Sequence, residues 1–112
     1  LNLVRLNDIA VYEDGTEVSG AEAYKAYGKE SGPIFQRLGG KIIWSGDFEL
    51  TLIGPFDEKW DVAFVAEYPN GQAFIDMVRD SDYRKAVRHR QAAVKTSRLI
   101  RMKPKESDKN FG

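Results

Sequence analysis

The chain has 112 residues, 42% of them hydrophobic, with 17 acidic and 17 basic side chains. That length holds one domain, large enough to bury a core without covalent staples. The absence of cysteine excludes disulfides, zinc–thiolate centres and cysteine nucleophiles, and the longest apolar run, Val62 to Ala66, falls far short of the roughly 20 residues that cross a bilayer.

Leu1 to Leu6 fits a strand buried on one face, and Asn2 shares that face with Val4 and Leu6. In the long connection that follows, Asp14-Gly15 stands between Ala-Val-Tyr at 10–12 and Thr-Glu-Val at 16–18. Asp-Gly between β-formers is a hairpin signal, so residues 8–20 are predicted to form a small flap. Ser19 with Glu22 three residues on makes a capping box for a helix from about Ala21 to Leu38. Its apolar stripe is Tyr24, Tyr27, Ser31, Ile34, Phe35 and Leu38. Gly28 and Gly32 weaken this helix and Pro33 removes a hydrogen bond, which predicts a kink or break near Gly32. Gly39-Gly40 permits the left-handed cap that ends it.

Lys41 to Ser45 reads as a strand, and Phe48 to Ile53 as its continuation beyond a bend at Gly46-Asp47, with Phe48, Leu50 and Leu52 on one side. Asp61 to Tyr68 is the most apolar stretch and is predicted to be the central strand. Tyr68-Pro69-Asn70-Gly71 predicts a turn in which Asn-Gly accepts positive φ. A short helix carrying Phe74, Met77 and Val78 follows, and Asp80 or Ser81 can cap the next one. There Tyr83, Ala86, Val87, Arg90, Ala93 and Val94 fall on one stripe. Arg98 to Lys103 is the predicted last strand. One domain over residues 1–103 and a disordered polar tail over 104–112 are expected.

The order is β-α-β-β-α-β, which predicts an α+β, ferredoxin-like fold: an antiparallel sheet with both helices on one face. The other face is left open, and a second copy is the usual cover.

Several short stretches, in order, carry a resemblance: Gly20-Ala-Glu-Ala-Tyr-Lys-Ala-Tyr-Gly28, Leu38-Gly-Gly-Lys41, Trp44-Ser-Gly46, Glu67-Tyr-Pro69, Asp80-Ser-Asp-Tyr83, His89-Arg90 and Ser97-Arg-Leu-Ile100. From Leu1 to Met102 the chain resembles the family called domain of unknown function 1330. The resemblance implies a dimeric α/β barrel, two ferredoxin-like units packed sheet to sheet, and no known activity. The segment 8–19 is longer than in common members, and the Gly-Pro interruption of the first helix is a second departure. Proteins of related fold include cofactor-free monooxygenases, muconolactone isomerases and haem-binding chlorite-dismutase-like proteins, but fold does not fix function.

Arg90 stands near the middle of an apolar stripe, where a guanidinium needs a partner. Two roles fit it: a pair with Glu67 or Asp61 that ties helix to sheet, or an anchor for a ligand carboxylate. His89, the sole histidine, is placed about 100° from the stripe's centre, at the edge between buried and exposed. It fits a surface histidine beside a cleft, a general acid or base, or an axial haem ligand. Tyr24, Tyr27, Tyr83, Trp44 and Asn2 are core groups or the walls of a pocket for a flat, oxygenated ligand.

A single histidine cannot build a histidine-based metal site, and no carboxylate stands four residues from it; no metal and no cofactor are expected. Residues 1–78 carry 13 acids and 6 bases, and residues 79–112 carry 4 acids and 11 bases. No aromatic platform interleaves with Arg84, Lys85, Arg88 and Lys95, which predicts a solvated helix face rather than a nucleic-acid surface. The expected protein is a cytoplasmic homodimer that binds a small molecule, as a cofactor-free enzyme acting on an aromatic or carboxylated metabolite or as a binding protein. In that pocket Arg90 and His89 would be the catalytic pair, and Asn2, Tyr27, Trp44 and Tyr83 the substrate-binding groups. The alternative is a non-catalytic binding or assembly module. No membrane partner is expected.

Overall fold

The computed structural model describes residues 1–106, 110 and 111. The elements are β1 (Asn2–Leu6), β2 (Ile9–Val11), β3 (Glu17–Ser19), α1 (Gly20–Arg37), β4 (Lys41–Gly46), β5 (Val62–Glu67), α2 (Gly71–Arg79), α3 (Ser81–Ala93) and β6 (Val94–Leu99). Four strands form one antiparallel sheet in the order β4-β5-β1-β6. This is the predicted α+β, ferredoxin-like arrangement, with a hairpin, β2–β3, inserted before the first helix. The four-stranded sheet is open and does not close into a barrel.

Local chemistry sets the boundaries. The Ser19 hydroxyl accepts a hydrogen bond from the Glu22 amide at 3.1 Å and starts α1. Gly39, at φ 85°, turns the chain out of that helix, and the Gly40 amide donates to the Phe35 carbonyl at 2.9 Å. The Asp80 carboxylate accepts from the Asp82 and Tyr83 amides at 2.8 and 3.1 Å and starts α3. Those amide hydrogen bonds, Tyr83's foremost, hold the Asp80 carboxyl below its ordinary pKa. The hairpin turns at Gly15, φ 86°, where the Tyr12 amide donates to the Thr16 carbonyl.

Register divides the sheet into two faces. Val4 pairs with Val62 on one side and Ser97 on the other, and Asn2 pairs with Phe64 and Leu99. Paired residues share a face, so these side chains form the face that carries Val4, which is fully buried. Asn2 therefore lies on the side of the helices, as its alternation predicts. Two buried clusters fill the layer. Ala10, Ala23, Ala92 and Ala93 join the hairpin to α1 and α3. Ile34, Met77 and Tyr83 join α1 to α2 and α3, with Tyr27, Phe35, Tyr68 and Phe74 packed around them.

Five local expectations are corrected. Helix α1 runs unbroken from Gly20 to Arg37 with Pro33 inside it. One missing hydrogen bond is tolerated where the flanking Ser31 and Ile34 are buried, and the Ser31 hydroxyl donates to the Tyr27 carbonyl at 2.7 Å. Residues 48–53 form no strand. They belong to an irregular arm, 47–61, braced by the Thr51 hydroxyl on the Glu58 carbonyl at 2.9 Å. Alternation there had no neighbouring strand to pair with. Asn70 is extended, φ −163°, and accepts from the Ala73 amide at 2.9 Å, so it caps α2 instead of occupying a positive-φ turn. The last strand is Val94–Leu99, earlier than Arg98 to Lys103. Val94 completes a helical stripe and also suits a strand, and pairing with Leu6 decides for the strand. Finally, α3 is rotated from the predicted stripe. Its buried side holds Tyr83, Ala86, His89, Ala92 and Ala93, with Arg90 only half-buried beside it. The expected tail falls largely on residues outside those described.

Candidate functional site

Helix α1 lies close along α3 but stands off from β4 and β5. Ile42 shows the consequence. It pairs with Ala66, on the helix side of the sheet, yet is 51% exposed. Between α1 and these strands runs a groove of about 840 Å³. Tyr24, Tyr27, Ser31 and Phe35 form its helix wall, and Asn2, Ile42, Phe64 and Ala66 its sheet floor. Gly28 and Gly32 face the same space, and a Cβ at either would meet nothing within 4 Å. Two glycines spaced four apart on one helix thus widen the opening.

The tyrosine wall is polar. Tyr27 and Tyr83 share a hydrogen bond between hydroxyls at 2.8 Å, their rings meeting edge to face. Burial first, and then this hydrogen bond, raises the Tyr27 hydroxyl far above the ordinary phenol value. Burial also raises Tyr24, and it pushes Tyr68 up to about 12. In both Tyr24 and Tyr27 the Arg90 guanidinium opposes the rise. All three phenols stay protonated at neutral pH and offer hydroxyls, not bases.

Arg90 donates to the Ser97 hydroxyl on β6 at 3.2 Å. The expected partners are engaged elsewhere. Glu67 pairs with Lys41 at 3.3 Å, and the Asp61 carboxylate accepts from the Leu6 amide at 2.7 Å. Among the described residues no carboxylate lies within 4.0 Å of Arg90. A half-buried cation therefore sits close enough to the groove's tyrosines to act on their acidity, and among the described residues its hydrogen-bond partner is a neutral hydroxyl.

His89 is not at an exposed edge. It is 7% exposed, and its Nδ1 meets the Tyr12 hydroxyl at 2.6 Å. Its Nε2 abuts the Glu30 carboxylate. The rings of Tyr12 and His89 stand at 87°, and the Arg88 guanidinium lies 5.8 Å from the Tyr12 centroid. The row Tyr12–His89–Glu30 joins hairpin, α3 and α1, and none of the three lines the groove. Trp44 is also elsewhere. A register shift in β4 pairs it with Val65, on the sheet face away from the helices.

The groove thus gathers Asn2 and Tyr27, with Tyr83 behind Tyr27 through their shared hydrogen bond. Arg90 is adjacent, and His89 and Trp44 are apart. Sequence reasoning missed Tyr12, Glu30 and Ser97 as partners. The Asp14-Gly15 turn placed Tyr12 on a flap, but no local signal says that the flap folds onto α3. Among the described residues no cluster of three or more histidine, aspartate or glutamate side chains is placed to hold a metal ion. No helix there is long and apolar enough to cross a membrane.

A family model described as "Domain of unknown function (DUF1330)" matches residues 14–102. The chain is similar to a crystal structure of methylated RPA0582 protein, at 62% identity over 96% of this chain and 80% of that chain, with a TM-score of 0.94. It is also similar to a second crystal structure of RPA0582, a structural genomics target described as a protein of unknown function from Rhodopseudomonas palustris. That match has 62% identity over 95% of this chain and 80% of that chain, with a TM-score of 0.90. No curated protein matches.

Proposed function

The chain belongs to the domain of unknown function family DUF1330, and from that premise we propose that it is a cytoplasmic, homodimeric small-molecule-binding protein. The groove between α1 and the β4–β5 half of the sheet is its ligand site. The ligand is a small, flat carboxylate. Its ring lies between the tyrosine wall and Phe64, and its acid group turns toward Arg90.

The observation that carries this is Arg90. A half-buried guanidinium held by a neutral serine keeps donors free for an anion, which arginine takes in a two-pronged geometry. Asn2, an amide on the apolar floor, supplies a second polar contact.

Binding is favoured over catalysis by the state of the candidate acids and bases. The groove's phenols are held protonated by burial. His89 meets Tyr12 through Nδ1 and abuts Glu30 with Nε2, and none of these three residues lines the groove. In this role His89 is a positioning residue for the hairpin, Tyr83 fixes the Tyr27 hydroxyl, and Trp44 belongs to the face a second copy would cover.

A melting screen against aromatic carboxylates such as benzoate and salicylate tests the assignment. Wild-type protein is expected to gain Tm with at least one of them, and Arg90→Leu to lose that gain while keeping its far-ultraviolet circular dichroism. Equal ligand-induced shifts in Arg90→Leu and wild type would remove Arg90 as the anchor.

A further inference from the structure

The arm between β4 and β5 has no counterpart in its own chain to lie on. Leu50, Leu52, Ile53 and Phe56 are exposed, Ile53 at 97% and Phe56 at 93%. Exposed apolar groups scattered singly are ordinary, but four within seven residues form a patch of the kind that marks an interface. The arm's charge is one-sided: Asp47, Glu49, Asp57, Glu58 and Asp61 against Lys59.

At the other end of the sheet is a second groove, of about 1030 Å³. Ile43, Val65, Phe74, Ile75, Ile100 and Met102 give it an apolar lining. Its charged lining is Arg101 and Lys103 against Glu67, and Glu67 is already paired with Lys41 at 3.3 Å. An acidic, apolar arm and a basic, apolar groove therefore occupy opposite ends of one molecule. The arm returns to the sheet where the Asp61 amide donates to the Val4 carbonyl at 2.8 Å. The groove lies where the Leu1 amine donates to the Ile100 carbonyl at 2.9 Å.

We infer that in the homodimer the 47–61 arm of each protomer lies in the second groove of its partner. This rests on the homodimer proposed above and specifies its contact. When two sheets face each other, a two-fold axis lying between them and running across the strands exchanges their ends. Each arm is then carried over the partner's groove, and the contact is made twice. Ile53 and Phe56 enter the apolar lining, while the arm's acids meet Arg101 and Lys103. Opposite charge fixes which end meets which, because arm against arm or groove against groove would place like charges together.

The cysteine-free sequence makes the test direct. The doubly substituted Ile53→Cys/Met102→Cys protein, oxidised at low concentration, is expected to run as a covalent dimer on denaturing gels. Its native mass by analytical ultracentrifugation should equal the wild-type dimer's. A native dimer without that crosslink, or with the disulfide closed inside one chain, overturns the arm contact and leaves the dimer standing. A wild-type monomer at every concentration overturns both. The variant Ile53→Asp/Phe56→Asp alters exposed groups only and is expected to keep its circular dichroism and sediment as a monomer; an unchanged dimer counts against the contact. Maleimide labelling of Met102→Cys should slow as protein concentration rises. Labelling independent of protein concentration but slowed by decanoate would make a free amphiphile the occupant and overturn the arm.

Discussion

Helix α1 presents two unlike sides. Toward α3 and the hairpin it meets small buried residues, Ala10, Ala92 and Ala93, and its Glu30 ends the row from Tyr12 through His89. Toward β4 and β5 it meets open space, with Gly28 and Gly32 facing a groove that its tyrosines line. Alanine cores let backbones approach closely, and dense interiors tolerate no volume change. A site for a ligand needs the reverse. The two sides of one helix differ in that respect: close packing on one, an open groove on the other.

Glycine-to-alanine substitution on this single helix breaks or confirms the contrast, because the change is the same and the surroundings differ. At Gly20 an added Cβ would collide with the backbone carbonyl of Asn7, which has no flexible end to move aside. The Gly20 amide also donates to the Asp8 carbonyl at 3.1 Å, so the helix start cannot swing away freely. Gly20→Ala is expected to cost on the order of 3 kcal/mol, among the larger effects of single substitutions, measured by urea denaturation. A loss below about 0.5 kcal/mol, the scale of ordinary surface changes, would mean that the closed side is not closed.

The next effect is polar. Tyr12→Phe removes the hydroxyl that meets His89 Nδ1 at 2.6 Å and leaves a buried ring nitrogen without its partner. An expected cost of about 1–3 kcal/mol follows from an unsatisfied buried group. Amide exchange should quicken in the β2–β3 hairpin more than in β5, since Tyr12 is the hairpin's tether to α3. Uniform loss of protection would show that the row holds the whole domain and not one flap.

The same two sides explain what the sequence made legible. Periodic and capping signals are local, and they located both long helices, the Asp14-Gly15 hairpin and the central strand. The Ser19–Glu22 pair marked where α1 begins. Arg90 drew attention because charge on an apolar stripe is visible in one dimension. Its neighbour was misplaced because a rotation of one residue on α3 exchanges the buried position for the half-buried one. The residues that fix the rotation, Tyr12 and Glu30, lie far away in the chain. The irregular arm was equally hidden. Phe48, Leu50 and Leu52 alternate as a strand does, but alternation becomes a strand only beside a partner with free hydrogen bonds.

Gly28→Ala has the smallest expected effect and the opposite sign. Nothing lies within 4 Å of the added methyl, and the backbone is helical. Alanine in a helix interior is favoured over glycine by about 0.5–1 kcal/mol, so the variant should be more stable than wild type by that amount. It should also bind an aromatic carboxylate more weakly, because the methyl occupies the groove beside Tyr24 and Tyr27. Higher Tm with unchanged ligand affinity would mean that the open side of α1 is vacant without being used. Higher Tm together with lost affinity would identify glycine here as a stability cost retained for the ligand.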